Sequence, residues 1–436
     1  MEENPRIKQM EKGILKLSIY LLTRWVNNGM LWLQIKKRGF YMKVYVDNAA
    51  TTKISKVALD AMLPCFADFY GNPSSLHTPG QEAKEALENA RKTVADCLGC
   101  EPREIYFTSG GTEADNQAIL SAAYNGAQKG KKHIISTAFE HHAVLHTLKK
   151  LEKEGFEVTL LSVKEGHNVT ADQVAKAIRP DTCLVTCMYA NNEIGSVLPI
   201  KEIGAVCKEA GVVFHTDAVQ AVGHLKINVK EENIDMLSLS AHKFHGPRGV
   251  GALYVRRGLM LRNLIEGGAQ ERNKRAGTEN LPAICGMAAA LKDACEHLEE
   301  NTQKVLSLRK KLIEGLSKIP HCALNGDQVN CLPGVVSFCF EGIEGESLLL
   351  YLDAMGVYAS SGSACTSGSL DPSHVLLAIG RVHDVAHGSL RLSLCHENTE
   401  EEMDHIIEAV PQVVSLLRNM SPVWRDLQTG KREYIL

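Results

Sequence analysis

Short apolar runs alternate with stretches of helical spacing along most of the chain. Val44-Tyr45-Val46 reads as a strand that ends in the small polar run Asp47-Asn48-Ala49-Ala50-Thr51-Thr52, which suits a loop lining a site better than a core. From Ser55, a helix cap, apolar Val57, Ala61, Met62, Cys65, Phe66 and Phe69 follow a helical period as far as Gly71. After the loop Gly71-Asn72-Pro73-Ser74-Ser75, Ala83, Leu87, Ala90, Val94 and Leu98 recur at three- and four-residue spacing, and Gly99 supplies the stop. The strand Ile105–Thr108 then turns through Ser109-Gly110-Gly111-Thr112 into a helix beginning at Glu113. A strand, a glycine turn and a helix N-terminus make an anion cradle.

Further apolar runs, His133 to Phe139, Val158 to Val163, Cys183 to Tyr189, Val212 to Thr216 and Met236 to Leu239, are strands with helices between most of them. Two of those helices carry their own punctuation, the capping box Thr170-x-x-Gln173 and the stop at Gly211. Continuous apolar strands interleaved with helices predict an α/β fold with a mostly parallel sheet covered on both faces. Ligands of such sheets bind at the carboxyl ends of the strands. Beyond Pro282 a long helical pattern runs to about Lys318, followed by strand Val335–Phe340, helix Glu344–Met355, strand Leu390–Leu394 and a final helix opened by the capping box Thr399-x-x-Glu402. This change of order predicts a second, smaller α+β domain. The division places residues 56–300 in the large domain and residues 43–55 with 301–436 in the small one, with the boundary inside the long helix near Asn301.

Polar clusters fall where the strands end: Glu140-His141-His142 after Phe139, Asn191-Asn192-Glu193 after Tyr189, Asp217 with Gln220 after His215, and Ser240, His242 and Lys243 after Leu239. Each alone has a bland reading, since a His-His pair is usually surface, an Asp after a strand often caps a helix, and a single lysine is mostly exposed. Jointly they converge on one ligand. In the stretch Leu237–Gly251 a strand delivers Lys243 to a turn flanked by His242, His245 and Arg248, and neighbouring cations, like burial, favour the neutral amine that condenses with an aldehyde. A lysine of this kind, an acid for a pyridinium nitrogen and a phosphate cradle at a helix start are the parts that pyridoxal 5′-phosphate catalysis requires.

Composition narrows the field. The chain has 436 residues, 44% hydrophobic, a formal net charge of −3 and a pI near 6.6, which leaves no basic footprint for nucleic acid or an anionic membrane and favours a small-molecule substrate. Thirteen scattered cysteines read as a reducing, cytoplasmic compartment. Cys97-x-x-Cys100 falls where a helix ends, so no helix dipole activates its thiols. Residues 1–42 read as a leader without a role in the chemistry or an upstream start, with Met42 as the working start; Ile14–Leu33 is apolar-rich but broken by Lys16 and Arg24, too interrupted to span a membrane, and an interfacial amphipathic segment is the alternative.

The order of the motifs adds a resemblance. Asp47-Asn48-Ala49-Ala50-Thr51-Thr52, Gly71-Asn72-Pro73-Ser74-Ser75, Thr108-Ser109-Gly110-Gly111-Thr112-Glu113, Glu140-His141, Asn191-Asn192-Glu193-Ile194-Gly195, Asp217-Ala218-Val219-Gln220 and Ser240-Ala241-His242-Lys243 resemble the NifS/IscS-type cysteine desulfurases from about Lys43 to about Ala409. The resemblance implies a fold-type I pyridoxal phosphate-dependent transferase with a mainly parallel seven-stranded sheet, acting on L-cysteine to give L-alanine. It implies that Lys243 binds the cofactor and moves the substrate α-proton, that Asp217 pairs with the pyridine nitrogen and Gln220 with the phenolic oxygen, and that His141 stacks on the ring and shuttles protons. Gly111, Thr112, Ser240 and His242 would hold the phosphate, Asn191 would lie near the substrate amino group or the cofactor oxygen, and Thr278 would reach the phosphate in the partner subunit of a homodimer. Arg391, alternating with apolar neighbours on a strand, would bind the substrate carboxylate; the bland alternative is a solvent-facing side chain.

Cys365 stands in the small-residue run Ser360–Ser369, which reads as a mobile loop, whereas Cys65, Cys97, Cys183, Cys187 and Cys339 lie in helix or strand patterns as small apolar groups. The resemblance makes Cys365 the thiolate that takes the substrate sulfur as a persulfide and hands it to an acceptor such as an iron-sulfur scaffold; the long form of the loop resembles the subgroup serving iron-sulfur or nitrogenase assembly. Selenocysteine lyase or another class-V activity is the alternative enzyme, and a sulfur-carrier scaffold the non-enzymatic one. A metal site from His141, His142, His242 and His245 matches no zinc spacing.

Overall fold

The computed structural model describes residues 42–163, 168–361 and 372–436. The chain enters through a two-residue strand, β1 (Val44–Tyr45), and crosses the Asp47–Thr52 segment to α1 (Lys56–Met62), whose Ser55 cap accepts from the Ala58 amide. The single helix expected up to Gly71 is cut short. Pro64 has no N–H with which to continue the ladder, and Pro64–Ala67 forms a separate helical turn. Phe66, placed in the core by its spacing, is 65% exposed in this chain. The next helix, α2 (Thr78–Leu98), follows its pattern. It buries Ala83, Leu87, Ala90, Val94 and Leu98 and stops at Gly99 in the left-handed conformation (φ 73°), the geometry that a residue with a Cβ adopts reluctantly.

The large sheet is built from β2 (Ile105–Thr108), β3 (His133–Thr137), β4 (Glu157–Leu161), β5 (Thr182–Thr186), β6 (Val213–Asp217), β7 (Met236–Ser240) and β8 (Gly251–Val255), in the order β2-β8-β7-β6-β5-β3-β4. All pairings are parallel except those of β8 with β2 and β7. Between the strands run α3 (Gly111–Ala127), α4 (His142–Lys153), α5 (Ala171–Ala177) and α6 (Ile200–Ala210). Successive strand residues serve opposite faces. Ile134, Leu184, Met236 and Leu253 pack with α3 and α4, while Ile135, Val185, Leu237 and Ala252 pack on the other side with α2. Because β2 and β7 are both antiparallel to β8, they run in the same direction. Thr108 and Ser240 both lie opposite Gly251, so the turn after β2 and the lysine after β7 meet at one edge of the sheet.

The long helix expected from Pro282 to Lys318 is two, α7 (Leu281–Glu296) and α8 (Leu298–Leu316), broken at His297, whose φ and ψ of −104° and 13° are not helical. Histidine is an ordinary helix residue, so the apolar period runs through the break unmarked. The smaller unit follows with β9 (Cys322–Leu324), which the sequence pattern did not reveal, β10 (Val335–Phe340), α9 (Gly345–Ala354), β11 (Val357–Tyr358), α10 (His374–Ala378), β12 (Ser389–Ser393) and α11 (Glu400–Met420), opened by the Thr399–Glu402 capping box. Its sheet runs β12-β10-β9, and β11 pairs in parallel with β1. Val44, Val46, Leu312, Phe338, Leu352, Leu392 and Val410 share one core there, whereas Leu332, Val335, Val375 and Leu376 pack into the core of the large sheet. Among the described residues no helix is long and apolar enough to cross a membrane.

Candidate active site

Four adjacent strands deliver the polar clusters to the carboxyl edge of the large sheet. Lys243 ends a helical turn directly after β7, and its Nζ donates to the carbonyls of Ala49 (2.6 Å) and Ala50 (2.9 Å). Gln220 Nε2 donates to the same Ala49 carbonyl at 2.9 Å. The Asp47–Thr52 segment is thereby pinned against the lysine turn, and Thr52 Oγ1 adds a bond to the His242 carbonyl at 3.0 Å. One expectation is corrected here. Burial and the charge of Lys243 push His242 down to about 4, and burial holds His245 at about 4, so both imidazoles are neutral near pH 7 and add no positive charge beside the amine.

Asp217 closes β6, buried, with the Val219 amide on Oδ1 at 3.0 Å. Burial raises its carboxyl, and the nearby His141, the Val219 amide and Lys243 pull it back. Beneath it lie two more buried acids. Burial and Asp217 push Asp115 well up, and Glu140 is pushed up to about 8 by burial, with Thr137 and Met188 donating to its Oε1 at 2.6 and 2.9 Å. His215, between the Thr186 and Ser238 hydroxyls at 2.8 and 3.0 Å, is held neutral at about 3 by burial. Of the three carboxyls only Asp217 has basic side chains, His141 and Lys243, beside it to offset its burial.

His141 caps α4, its Nδ1 accepting from the Ala143 amide at 3.1 Å, which leaves Nε2 to carry the ring proton. At the start of α3 no side chain caps the helix, so its first amides face the strand end. A Cβ on Gly111 would stand 2.6 Å from Val219 Cγ2, and one on Gly251 would stand 2.8 Å from the Gly110 Cα. Glycine at these places lets the helix start approach both Ser240 and the residues after Asp217. An uncapped helix start, a buried carboxylate and a lysine at one sheet edge fit a ligand with a phosphate, a basic ring nitrogen and an aldehyde, which are the groups of pyridoxal 5′-phosphate.

From the smaller unit comes Arg391, in the middle of β12 and only 2% exposed, which excludes a solvent-facing role. Its Nη2 donates to Asp47 Oδ1 at 2.9 Å and Nη1 to the Asn192 carbonyl at 3.2 Å, while its buried Nε has no partner among the described residues. The Asp47–Thr52 segment therefore touches both the arginine and the lysine. Ser393 extends the same joint, its carbonyl accepting from Asn48 Nδ2 at 2.8 Å and its Oγ from the Ala49 amide at 2.9 Å.

The model of the family described as "Aminotransferase class-V" matches residues 44–406. The cysteine desulfurase IscS of Methanosarcina thermophila is 55% identical over 380 residues, 87% of this chain and 94% of that protein. That of Clostridium botulinum is 52% identical over 90% of this chain and 99% of its own length. The chain belongs to the class-V aminotransferase family, among its cysteine desulfurases. Solved relatives agree: a NifS-like protein superposes with a TM-score of 0.81 at 39% identity, covering 86% of this chain and all of that one, and SspA in complex with cysteine superposes at 0.72, 39% identical, covering 82% of this chain and 100% of that one. The chain is a pyridoxal phosphate-dependent enzyme with the α/β architecture of this family.

Placed in this desulfurase frame, Lys243, Asp217, Gln220, His141, Gly111, Thr112, Ser240 and His242 all lie along or next to the carboxyl edge of the sheet. The Asn191 side chain is engaged with the protein itself: Nδ2 donates to the Phe139 carbonyl at 2.9 Å, and Oδ1 accepts from the Glu193 and Ile194 amides at 2.8 and 3.0 Å. Thr278 is exposed, just beyond Arg275, which pairs with Glu113 of α3 at 2.9 Å. Cys365 lies outside the described residues. The expected burial of Cys65, Cys183, Cys187 and Cys339 is observed; Cys97 is half-buried. Sequence reasoning missed Asp47 as the brace of Arg391 and Asp115 under Asp217. Asp47 could have been found from its polar run at a strand end, but Asp115 reads as one more helix residue.

Proposed function

We propose that the enzyme converts L-cysteine to L-alanine and leaves the sulfur as a persulfide on Cys365, from which a protein acceptor such as an iron-sulfur scaffold collects it. Pyridoxal phosphate, when bound, supplies the electron sink for charge that builds up on the substrate carbons. The residues that would hold it are Lys243 through its amine, Asp217 at the ring nitrogen, Gln220 at the phenolic oxygen, His141 beside the ring, and Gly111, Thr112, Ser240 and His242 at the phosphate. Lys243 moves the proton at the substrate α-carbon, and Arg391, with a spare buried Nε donor, takes the carboxylate. The Cys365 thiolate attacks the substrate sulfur. An S–S bond forms as the C–S bond breaks, and the carbon gains a proton to become the alanine methyl group.

The observation that carries this reading is the convergence of Lys243, the buried Asp217 and the α3 start at one sheet edge, within a chain half identical to desulfurases. Most of the described cysteines do not compete well for the thiolate role; the exception is Cys295, exposed near the end of α7, whose thiol is lowered by its hydrogen bond with Cys97. Burial pushes Cys183, Cys339 and Cys395 up to about 11 and Cys100, Cys207 and Cys285 up to about 12. A homodimer is supported by the exposed apolar side chains between α1 and α2, Leu63, Phe66, Phe69, Tyr70 at 71% and Leu76 at 94%. Thr278, exposed, would reach the partner's phosphate site. Free thiols throughout the described residues support a reducing, cytoplasmic location. The test is to assay L-cysteine and L-selenocysteine side by side, scoring alanine with sulfide or selenide. Faster turnover of selenocysteine, or alanine from cysteine without a sulfur intermediate on the protein, would overturn the reading.

A further inference from the structure

The segment that carries Cys365 returns to the described structure at Pro372 and Ser373, and two hydrogen bonds fix that point. Ser373 Oγ, which caps α10 by accepting from the Val375 and Leu376 amides at 3.1 and 3.3 Å, donates to Glu193 Oε2. His374 Nε2 reaches the Glu140 carbonyl at 2.9 Å, one residue before His141. Glu193 is itself rigidly placed. Its amide is held by Asn191 Oδ1 at 2.8 Å, it follows the Asn192 carbonyl that accepts from Arg391 Nη1, and its carboxyl is buried. A buried carboxyl whose side-chain hydrogen bond goes to a serine, and not to the adjacent arginine, is costly to keep unless the serine is what needs it.

We propose that Glu193 is a positioning residue for sulfur transfer: it ties Ser373, on the far side of Cys365, to the Asn191–Asn192 turn that braces Arg391, and so sets the chain bearing the nucleophile relative to the substrate carboxylate site. The inference rests on the desulfurase reading. Its chemistry is that of the transfer step already given, with no added reactant. Beside Glu193 lie the Arg391 guanidinium, the His141 ring and the Ser373 donor; burial raises the Glu193 carboxyl to about 7, and the three groups pull it down. Glu193→Gln keeps an acceptor for Ser373 and removes only charge, whereas Glu193→Ala removes the acceptor and leaves the α10 cap in place.

The test uses holoenzyme with L-cysteine and measures cofactor absorbance, the apparent Kd for cysteine from the spectral change on binding, and the single-turnover rate of persulfide formation on the protein. Glu193→Ala is expected to lower that rate about tenfold or more, as loss of a buried hydrogen bond that leaves its donor unpaired implies, with absorbance unchanged and Kd within about threefold. Ser373→Ala should match it, the double variant should be no worse than either single one, and Glu193→Gln should recover most of the loss. An unchanged rate in Glu193→Ala, additive effects in the double variant, or an equal loss of cysteine binding would overturn the proposal. Should the parent enzyme form no persulfide from cysteine, the desulfurase reading itself fails, a result distinct from these.

Discussion

The two halves of the site are held in different ways. At the sheet edge, Lys243, Asp217, His141 and the start of α3 sit one step beyond strands whose register is fixed by continuous pairing and by apolar residues on both faces. Moving one of them means moving a strand. The chain on either side of Cys365 is fastened by individual bonds instead: the Ser360–Arg391 backbone pair before it (Arg391 N to Ser360 O, 2.7 Å), and Ser373–Glu193 and His374–Glu140 after it. The contrast matches the two jobs. A cofactor and a proton need fixed positions, whereas a persulfide formed inside must reach an acceptor outside.

The comparison breaks first at Lys243. Lys243→Ala is expected to lose about 10⁴-fold or more in alanine formation and to give no borohydride-trapped cofactor adduct by mass spectrometry; retained activity would remove the lysine from the centre of the site. Cys365→Ala should separate the halves, keeping the cofactor absorbance while sulfide release falls on the order of 10³-fold. Arg391→Lys keeps the charge but loses the fork, and it should raise the KM for cysteine roughly 10- to 100-fold. Asp47→Asn, which weakens only one brace of that arginine, should raise KM by no more than about threefold, read from initial rates.

The smallest expected effect concerns the acid cluster under the sheet edge. An unfolded glutamate ionises near 4.3, whereas native Glu140 does so at about 8. Between these values the native state holds a proton that the unfolded state has released, so stability falls as pH rises through that window and is fully present below it. Glu140→Gln mimics the protonated form. It should therefore gain a few degrees in Tm over the parent at pH 8 and little at pH 4.5, measured by scanning calorimetry of the holoenzyme.

Much of this was legible in the sequence because strands announce themselves by apolar runs and their ends by polar residues. The Asp217 and Lys243 clusters, the α3 cradle and the mainly parallel sheet follow from that pattern. What stayed hidden has physical reasons. His297 breaks a helix without a residue type that breaks helices, and the exposed apolar residues around Phe66 look like core spacing because periodicity does not report whether an apolar face turns to the interior or to the surface. The neutrality of His242 and His245 depends on burial, which spacing does not report. Arg391 looks solvent-facing by alternation, yet its strand is buried along its whole length and its charge is met by Asp47, distant in sequence.

The central claim is that Lys243 handles the cofactor while Cys365 alone takes the sulfur. It is tested most directly by one turnover of the holoenzyme with L-cysteine, followed by alkylation, peptide mapping and alanine quantification. The account predicts one extra sulfur on the Cys365 peptide for each alanine released, and none on the other cysteines. Alanine released with the sulfur on a different cysteine, or with no sulfur retained on the protein, would contradict it.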